Sequence, residues 1–287
     1  MAELLSRNPP ARAFLGGALA LAVALIGCKA GEGEQAKTEA APAPAQAPLP
    51  ATEAELLAEL MPLPGGAEAI EIRYAVTGPA LEGELTILLR QGGYKRERWE
   101  LRTSGGATQL RSAGLAVVNP EQIWSAPEGE PGELRTNLLG GLARAWLALD
   151  QAERAAVAEA LRDWHELLAR RRAEVPGDQG EVLGVACLRT RIAAQNLCMW
   201  EEAGVFLRYE GSAFTIEATQ IDRSPTIPAD AFTPPPESRD ATRLEAEAVD
   251  FDAALAEAAK GNFADLVLLV SRTRALPKMA EPKPEPR

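Results

Sequence analysis

The stretch "AIEIRYAVTGPALEGELTILLRQGGYKRERWELR", residues 69–102, decides the fold. Large apolar residues occupy every second position of its first part: Ile70, Ile72, Tyr74 and Val76. This two-residue rhythm is typical of a half-buried β-strand. A second run places Leu81, Leu85, Ile87 and Leu89 on one side, and a third carries Trp99 and Leu101 opposite four charges. Short turns at 77–79 and at Gly92 and Gly93 join the runs, which predicts an antiparallel meander.

Further elements are predicted on both sides of this meander. A short helix over 53–61, capped by Thr52, precedes it. Seven more strands are predicted at 108–111, 115–118, 122–125, 182–192, 197–201, 205–209 and 214–221. Between the two groups, a Leu/Ala-rich helix over 137–149 is followed by a second helix that opens with a capping box at Asp150 and Glu153. The fold class is therefore α+β, mainly β.

The amino terminus has the layout of an export signal. Residues 1–12 carry two arginines against one glutamate, and residues 13–27, "AFLGGALALAVALIG", carry no charge. An uncharged run of this length is shorter than the roughly 18 to 20 residues that cross a bilayer as a stable helix. Residues 1–27 are therefore predicted to be a cleaved signal peptide.

The end of this run, Leu25-Ile26-Gly27-Cys28, resembles the lipobox of bacterial lipoproteins. The resemblance implies that Cys28 becomes the first mature residue and carries a thioether-linked diacylglycerol, so that acyl chains anchor the protein to the cell envelope. Lys29 follows the cysteine where an aspartate would favour inner-membrane retention, so the outer membrane, facing the periplasm, is expected if the envelope is Gram-negative. The alternative is a buried cysteine in an N-terminal helix.

The regions outside the folded body have a distinct composition. Residues 28–52 combine the lipidated cysteine with an Ala/Pro/Glu-rich stretch that contains one bulky aliphatic residue, Leu49, and no aromatic residue. Such a stretch cannot bury enough apolar surface to offset the entropy of ordering, so a disordered tether is predicted. The tail 277–287, "PKMAEPKPEPR", is predicted to be disordered. Residues 238–276 are predicted to form a C-terminal helical hairpin, although "LVLLV" at 266–270 is equally compatible with a strand.

Composition and motifs argue against several function classes. The net charge is −11 and no basic stripe interleaved with aromatic residues offsets it, which argues against nucleic acid as a partner. A metalloprotease helix needs a second histidine four residues after the first, but the single histidine, His165, is followed at that spacing by Ala169. The sequence also contains no Gly-x-Ser-x-Gly nucleophile elbow and no glycine-rich phosphate loop. Leu255 occupies the glycine position of a calcium loop that would begin at Asp250. We expect neither an enzyme nor a bound metal or cofactor.

Two cysteines remain beside Cys28. Cys187 and Cys198 fall in successive predicted strands, and export would place both in an oxidising compartment. A disulfide across the hairpin is predicted, with two buried free thiols as the alternative. The spacing is far from that of a Cys-x-x-Cys redox motif.

Three short runs carry a wider resemblance: residues 93–100, "GYKRERWE", residues 112–124, "SAGLAVVNPEQIW", and residues 227–235, "IPADAFTPP". In the second run, a turn glycine (Gly114), a strand, an Asx-Pro turn (Asn119 and Pro120) and another strand follow one another. With the signal and the strand order, these runs resemble the LolA/LolB-like superfamily of periplasmic lipoprotein carriers over residues 53–237. Val117 replaces the usual aromatic residue, and the Arg-Pro pair before the third strand is missing.

The resemblance implies a curved antiparallel half-barrel packed with helices, whose concave apolar face suits an acyl chain. Seven residues are candidates for this ligand face: Ile70, Ile72, Tyr74, Val76, Leu85, Ile87 and Leu89. A helical stripe running from Val157 to Leu168 would form the lid. The competing interpretation is that the same side chains are simply core.

Two functions follow from these expectations. The first is a lipid-anchored envelope protein that binds or relays a lipid or lipoprotein acyl group in a half-barrel cavity. The alternative is a non-enzymatic interaction or scaffold lipoprotein that has a solid core and contacts an envelope protein through the C-terminal helices of residues 238–276.

Overall fold

A computed structural model describes residues 49–79, 81–103, 110–174, 178–192, 195–244, 248–266, 268 and 283–284. The signal sequence, Cys28, most of the tether and nearly all of the tail lie outside the described residues. Leu49 and Pro50, which the sequence assigns to the tether, belong to the body: Pro50 is buried and Leu49 packs against a helix cluster.

The strands follow one another in two runs separated by helices. The first run is β1 (Ala69–Thr77), β2 (Glu82–Arg90), β3 (Tyr94–Arg102), β4 (Leu110–Val118), β5 (Gln122–Pro127) and β6 (Glu133–Thr136). The second run is β7 (Asp178–Val182), β8 (Val185–Ile192), β9 (Gln195–Trp200), β10 (Val205–Glu210) and β11 (Thr215–Asp222). Two short strands follow, β12 (Thr242–Arg243) and β13 (Lys283–Pro284).

All of these strands belong to one open sheet. Its order is β12-β6-β5-β4-β3-β2-β1-β11-β10-β9-β8-β7, and β13 adds to β4 beside Leu110 and Arg111. The pairs are antiparallel except for β12 with β6, which is parallel. Because β1 pairs with both β2 and β11, it joins the two runs into a single sheet. The predicted meander of β1, β2 and β3 and the predicted class, mainly β with helices, are confirmed.

Three strand predictions need correction. The single strand predicted over 182–192 is two strands, because Leu183 and Gly184 both take positive φ and turn the chain between β7 and β8. The strands predicted at 108–111 and 115–118 are one strand, β4, of which the structure describes residues 110–118. Gly114, predicted as a turn glycine, lies inside β4 directly across from Trp99, where a Cβ would overlap the indole ring.

The structure describes the backbone of four α-helices from end to end. They are α1 (Glu53–Leu60), α2 (Leu138–Ala148), α3 (Gln151–Glu174) and α4 (Phe251–Ala258). The predicted caps are present: Thr52 and Glu55 form a capping box on α1, and Asp150 and Glu153 exchange the same two bonds before α3, at 2.9 and 3.0 Å. Short polar side chains at these positions satisfy amides that have no partner inside the helix. Residues 264–266 and 268 are also helical.

The apolar residues divide into two main clusters. The sheet cluster lines one face of β1 to β4 and of β7 to β11, and includes Ile72, Trp99 and Leu207. The helix cluster joins all four helices to Phe263 and Leu266. The helices therefore form a layer with its own core.

This helix layer meets the sheet at two turns. Gly92, between β2 and β3, donates its amide to the Met61 carbonyl at 3.3 Å. Gly140 of α2 donates to the Pro120 carbonyl, between β4 and β5, at 2.8 Å, and the buried Asn137 side chain donates to the Asn119 carbonyl. The helices are thus fastened at one end of the strands. No helix among the described residues is both long and apolar enough to span a bilayer.

Candidate functional site

The candidate ligand face lies in the sheet cluster. Six of its seven residues are buried there: Ile70, Ile72, Tyr74, Val76, Ile87 and Leu89; Leu85 packs against them at partial exposure. Side chains from the far end of the same sheet, including Val185 and Leu207, complete the cluster. The face is therefore brought together as the sequence predicts, and its own side chains fill it.

The predicted lid packs elsewhere. Val157, Leu161 and Trp164 belong to the helix cluster, where the Trp164 ring lies 5.3 Å from that of Phe263. The side chain of Leu168 lies outside the described residues. A void of about 10 Å³ lies within this cluster. A space of this size holds about one water molecule and cannot hold an acyl chain.

Two charged residues share the apolar face of β3. Lys95 Nζ lies 2.6 Å from Glu97 Oε1, and their side chains are only 14% and 5% exposed. The contact lies outside hydrogen-bond geometry, so Oε1 has no hydrogen-bond partner, and neither does the buried Nε1 of Trp99 two residues on. Burial of an ion pair costs several kcal/mol per ion in desolvation. The sequence could have indicated this placement. Side chains alternate between the two faces of a strand, so residues 95, 97, 99 and 101 lie on one face.

Tyr74 connects the two halves of the sheet across its interior. Its hydroxyl donates to the Phe206 carbonyl at 2.9 Å, and its ring lies 5.5 Å from that of Phe206. Burial, and secondarily the negative charge of Glu97, raise the pKa of Tyr74 well above its ordinary value. The phenol therefore acts as a neutral structural donor at neutral pH.

Cys187 and Cys198 form the predicted disulfide, with Cα atoms 5.3 Å apart. They lie on β8 and β9, but diagonally, because Cys198 is directly opposite Arg189. Both cysteines are buried in the sheet cluster, so the bond cross-links β8 and β9 on the face that carries this core.

The residues considered for metal binding and catalysis lie apart in the sequence, and the structure describes only some of their side chains. His165 lies within α3, and its side chain is outside the described residues. Asp250, considered above as the start of a calcium loop, instead caps α4 by accepting from the Ala253 amide at 2.9 Å. Among the described residues, no group of three or more His, Cys, Asp or Glu side chains is placed to hold a metal ion.

The other face of the sheet is crossed by the segment 227–243, which we call the strap. Near one end, Ala231 and Phe232 pack on Leu88, and the Phe232 carbonyl accepts from the Asn119 side chain at 3.2 Å. At the other end, Ala241 packs beside Val117 and Trp124, and β12 then pairs with β6. The strap is thus fixed to the sheet on both sides of its middle part.

A groove of about 370 Å³ lies beneath the middle of the strap. Its lining comes from the sheet (Arg96, Leu115) and from the strap (Asp230, Thr233, Pro234, Pro235, Pro236, Ser238, Arg239). Arg96 extends from β3 between Leu88 and Val117 on the neighbouring strands. This volume falls in the range of small-molecule sites, roughly 300 to 1,000 Å³. No pattern in the sequence predicts this groove, because it depends on where the strap crosses the sheet.

The groove arginines differ from several others on the sheet surface. Arg98 lies 3.0 Å from Glu100, Arg73 lies 2.9 Å from Glu71, and Arg208 lies 2.7 Å from Glu210. Within the described ranges, by contrast, no carboxylate pairs with Arg96 or with Arg239. Two guanidinium groups therefore line one groove, and no carboxylate among the described residues pairs with their N–H donors.

The chain matches no protein-family model and no curated protein. The LolA/LolB-like resemblance therefore rests on the short motifs of the sequence. Of these, the Asx-Pro turn is present, since Asn119 and Gln122 close the β4–β5 hairpin through their backbones and the Asn119 side chain accepts from the Glu121 amide.

Proposed function

We propose that this protein is a lipid-anchored, non-enzymatic envelope protein whose folded body is a LolA/LolB-like half-barrel. In this proposal it is an interaction or scaffold module that contacts its partner through its surface. Acyl chains on Cys28 would hold it at the membrane, the outer membrane in a Gram-negative envelope. The tether up to residue 48 would keep the body clear of the lipid surface, by roughly 25 Å for a flexible coil of this length.

One observation favours surface recognition over carriage of an acyl chain inside the sheet. The predicted ligand face is filled by its own side chains, six of which are buried. Inserting an acyl chain would require these packed side chains to separate, which costs the burial energy that holds the two runs of strands together. The groove under the strap needs no such opening.

Titration with a fluorescent fatty-acid probe tests this choice. We expect no saturable binding to the full chain purified in a mild detergent. Saturable binding that free fatty acid displaces, and that Ile72→Trp abolishes by overfilling the core, would contradict the proposal. Thermal melting of Ile72→Trp shows whether the variant still folds, and Leu183→Trp, at an exposed hairpin tip, is the matched control.

The anchor is tested by intact-mass measurement on protein from membranes. The expected product begins at Cys28 and carries the mass of a diacylglycerol or more, and Cys28→Ser lacks this lipid. An unmodified thiol at position 28, or retention of the original amino terminus, would overturn the membrane attachment.

The contact surface is tested in intact cells with a photo-crosslinking residue at position 238, in the groove. The control position is Gln220, which is exposed on β11 away from the strap. A discrete cross-linked species at 238 and none at 220 is expected. Deletion of residues 238–287 is less suitable, because it removes Leu255 and Ala258 from the helix cluster and would disturb the body itself.

The separate helix layer favours a second candidate, relay of an acyl group. Because the helix cluster has its own core and is fastened to the sheet at two turns, a movement of this layer away from the sheet would leave both clusters packed. A disulfide between cysteines introduced at Met61 and Gly92 would lock this motion. Acyl-probe binding in the reduced protein that is lost on oxidation would favour relay over the surface function.

A further inference from the structure

We propose that the groove beneath the strap is a binding site for a phosphate group, carried by a free phosphorylated small molecule or by a phospholipid headgroup. The inference rests on the proposed function in one respect, since it takes the outer surface of the sheet rather than its interior as the binding site. Nothing in it depends on the lipid anchor.

The charges in the groove favour an anion. Arg96 and Arg239 line it, and within the described part of the chain neither has an ion-pair partner. Arg96 lies directly across from Leu88 and Val117, which are both buried, and is itself half-buried. A partly desolvated cation attracts an anion more strongly than an exposed one does. Arg239 is exposed, and in a chain of net charge −11 a groove lined by two arginines without ion-pair partners is a local exception.

The donors suit phosphate better than a simple carboxylate. A guanidinium offers a planar pair of N–H groups that matches two oxygens of a phosphate, and two guanidinium groups can bind its different edges. The hydroxyls of Thr233 and Ser238 line the same space and can donate to a third oxygen. A carboxylate has only two oxygens and would leave part of this donor set unused.

The wall of the groove is rigid. Pro234, Pro235 and Pro236 stand in a row, and proline has a fixed φ and no backbone N–H. The Ser238 amide donates back to the Pro235 carbonyl at 2.9 Å, which fixes the bend that follows. A wall that loses little conformational freedom on binding adds to affinity. Asp230 also lines the groove and would oppose an anion, while favouring a ligand that carries an amine beside its phosphate.

Phosphate binding is measured by ³¹P NMR line broadening and by calorimetry on the full chain in a mild detergent without charged lipid. The probes are inorganic phosphate, glycerol 3-phosphate and a short-chain phosphatidylglycerol below its micelle concentration. Saturable binding is expected, with the affinity reduced at least tenfold by Arg96→Gln and by Arg239→Gln. Preference for glycerol 3-phosphate assigns a free ligand, and preference for the short-chain lipid assigns a headgroup.

Two further variants separate binding from folding. Arg98→Gln is the matched control, because Arg98 lies two residues from Arg96 on the same strand and face but is paired with Glu100, so it should leave binding unchanged. Asp230→Asn should raise the affinity for inorganic phosphate severalfold, since it removes a like charge. Arg239 is exposed, so Arg239→Gln remains informative if Arg96→Gln lowers the melting temperature.

Absence of phosphate binding, equal binding of acetate, or an equal loss in Arg98→Gln would overturn the inference. Cross-linking at position 238 without phosphate binding would leave the proposed function standing and remove only this ligand class. Saturable binding of the acyl probe would remove the proposed surface function and leave the phosphate measurement to be judged by its own controls.

Discussion

Leu183 lies at the tip of the β7–β8 hairpin with a backbone φ of 54°, and 53% of it is exposed. Val182 and Val185 close the hairpin, so the loop has two residues, both with positive φ. Such turns favour Asn-Gly or Asp-Gly, because a branched carbon chain is strained in this region of φ. Gly184 meets the requirement and Leu183 does not.

Leu183→Asn should therefore stabilise the protein by about 1 kcal/mol, since asparagine tolerates the left-handed conformation. Urea unfolding followed by circular dichroism measures the change. Leu183→Ala is the control, because it removes the exposed side chain and keeps a Cβ at positive φ. An equal gain in the free energy of unfolding from Leu183→Ala would mean that exposure of the leucine side chain, rather than backbone strain, destabilises the protein.

The buried pair of Lys95 and Glu97 gives a second prediction. Lys95→Met should destabilise the fold by about 3 kcal/mol, because it leaves a buried carboxylate without its cation. The double variant Lys95→Met/Glu97→Leu should recover most of this loss, because a well-packed apolar pair of similar volume often matches a buried ion pair. Denaturant unfolding of both variants and of Glu97→Leu completes a double-mutant cycle. Additive effects would contradict the coupling.

At these positions the sequence carried part of the information. Alternation placed Lys95 and Glu97 on the same face as Trp99, but it could not show that the far end of the sheet would cover that face. At Leu183 the run Val-Leu-Gly-Val reads as continuous strand, and only the pairing of β7 with β8 identifies the turn.

Among the elements, the β8–β9 hairpin carries the disulfide. Cys187 and Cys198 are 11 residues apart, and closing a loop of this length in the unfolded chain stabilises the native state by about 3 kcal/mol. Reduction, or the double variant Cys187→Ala/Cys198→Ala, should lower the free energy of unfolding by this amount. The measurement is denaturant unfolding with and without reductant.

Intact-mass measurement after alkylation provides the control for this prediction. Without reductant, neither Cys187 nor Cys198 should react. Alkylation of both sulfurs under those conditions would contradict the bond.

The long, alternating elements were predictable, and the short ones were not. In β1 the buried apolar residues alternate, so its periodicity is strong. In β2 the apolar residues Leu85, Ile87 and Leu89 also alternate, although Leu88 is buried as well, on the other face beneath the strap. β6 and β12 have four and two residues, and their pairing depends on where the strap returns to the sheet. Capping residues predicted the starts of α1 and α3, because the cap bonds are local.

At the scale of the whole molecule, two cores meet through a narrow junction. Asn137 is buried there: its Nδ2 donates to the Asn119 carbonyl, and its Oδ1 accepts from the Leu139 amide at 3.1 Å. Asn137→Ala would remove both the cap of α2 and one of the bonds that fasten the helix layer to the sheet. The expected cost is about 1 to 2 kcal/mol.

Hydrogen exchange measured by mass spectrometry shows whether the helix layer or the sheet loses amide protection. In Asn137→Ala, amides of α1, α2 and α4 should exchange faster while those of β1 to β3 keep their protection, because each layer has its own core. Arg144→Gln, which breaks an exposed ion pair to Glu121 at the same junction, is the control and should change little. Equal acceleration in strands and helices would show that the layers open together.

The division into two cores could not be predicted from the sequence. Both the Val157 stripe and the faces of β1 and β2 are apolar, and periodicity does not tell which apolar surfaces meet. The lid that the resemblance implies over the sheet therefore packs among helices instead.

The strap has a consequence for the rate at which a ligand enters. The strap is held by Phe232 on one side and by β12 on the other, with three prolines between. Because both of its ends are attached to the sheet, it does not open and close as a lid that is attached at one end would. The entrance of the groove is therefore open before a ligand binds. Capture should therefore proceed in a single step, with an observed rate that rises linearly with ligand concentration and reaches no plateau.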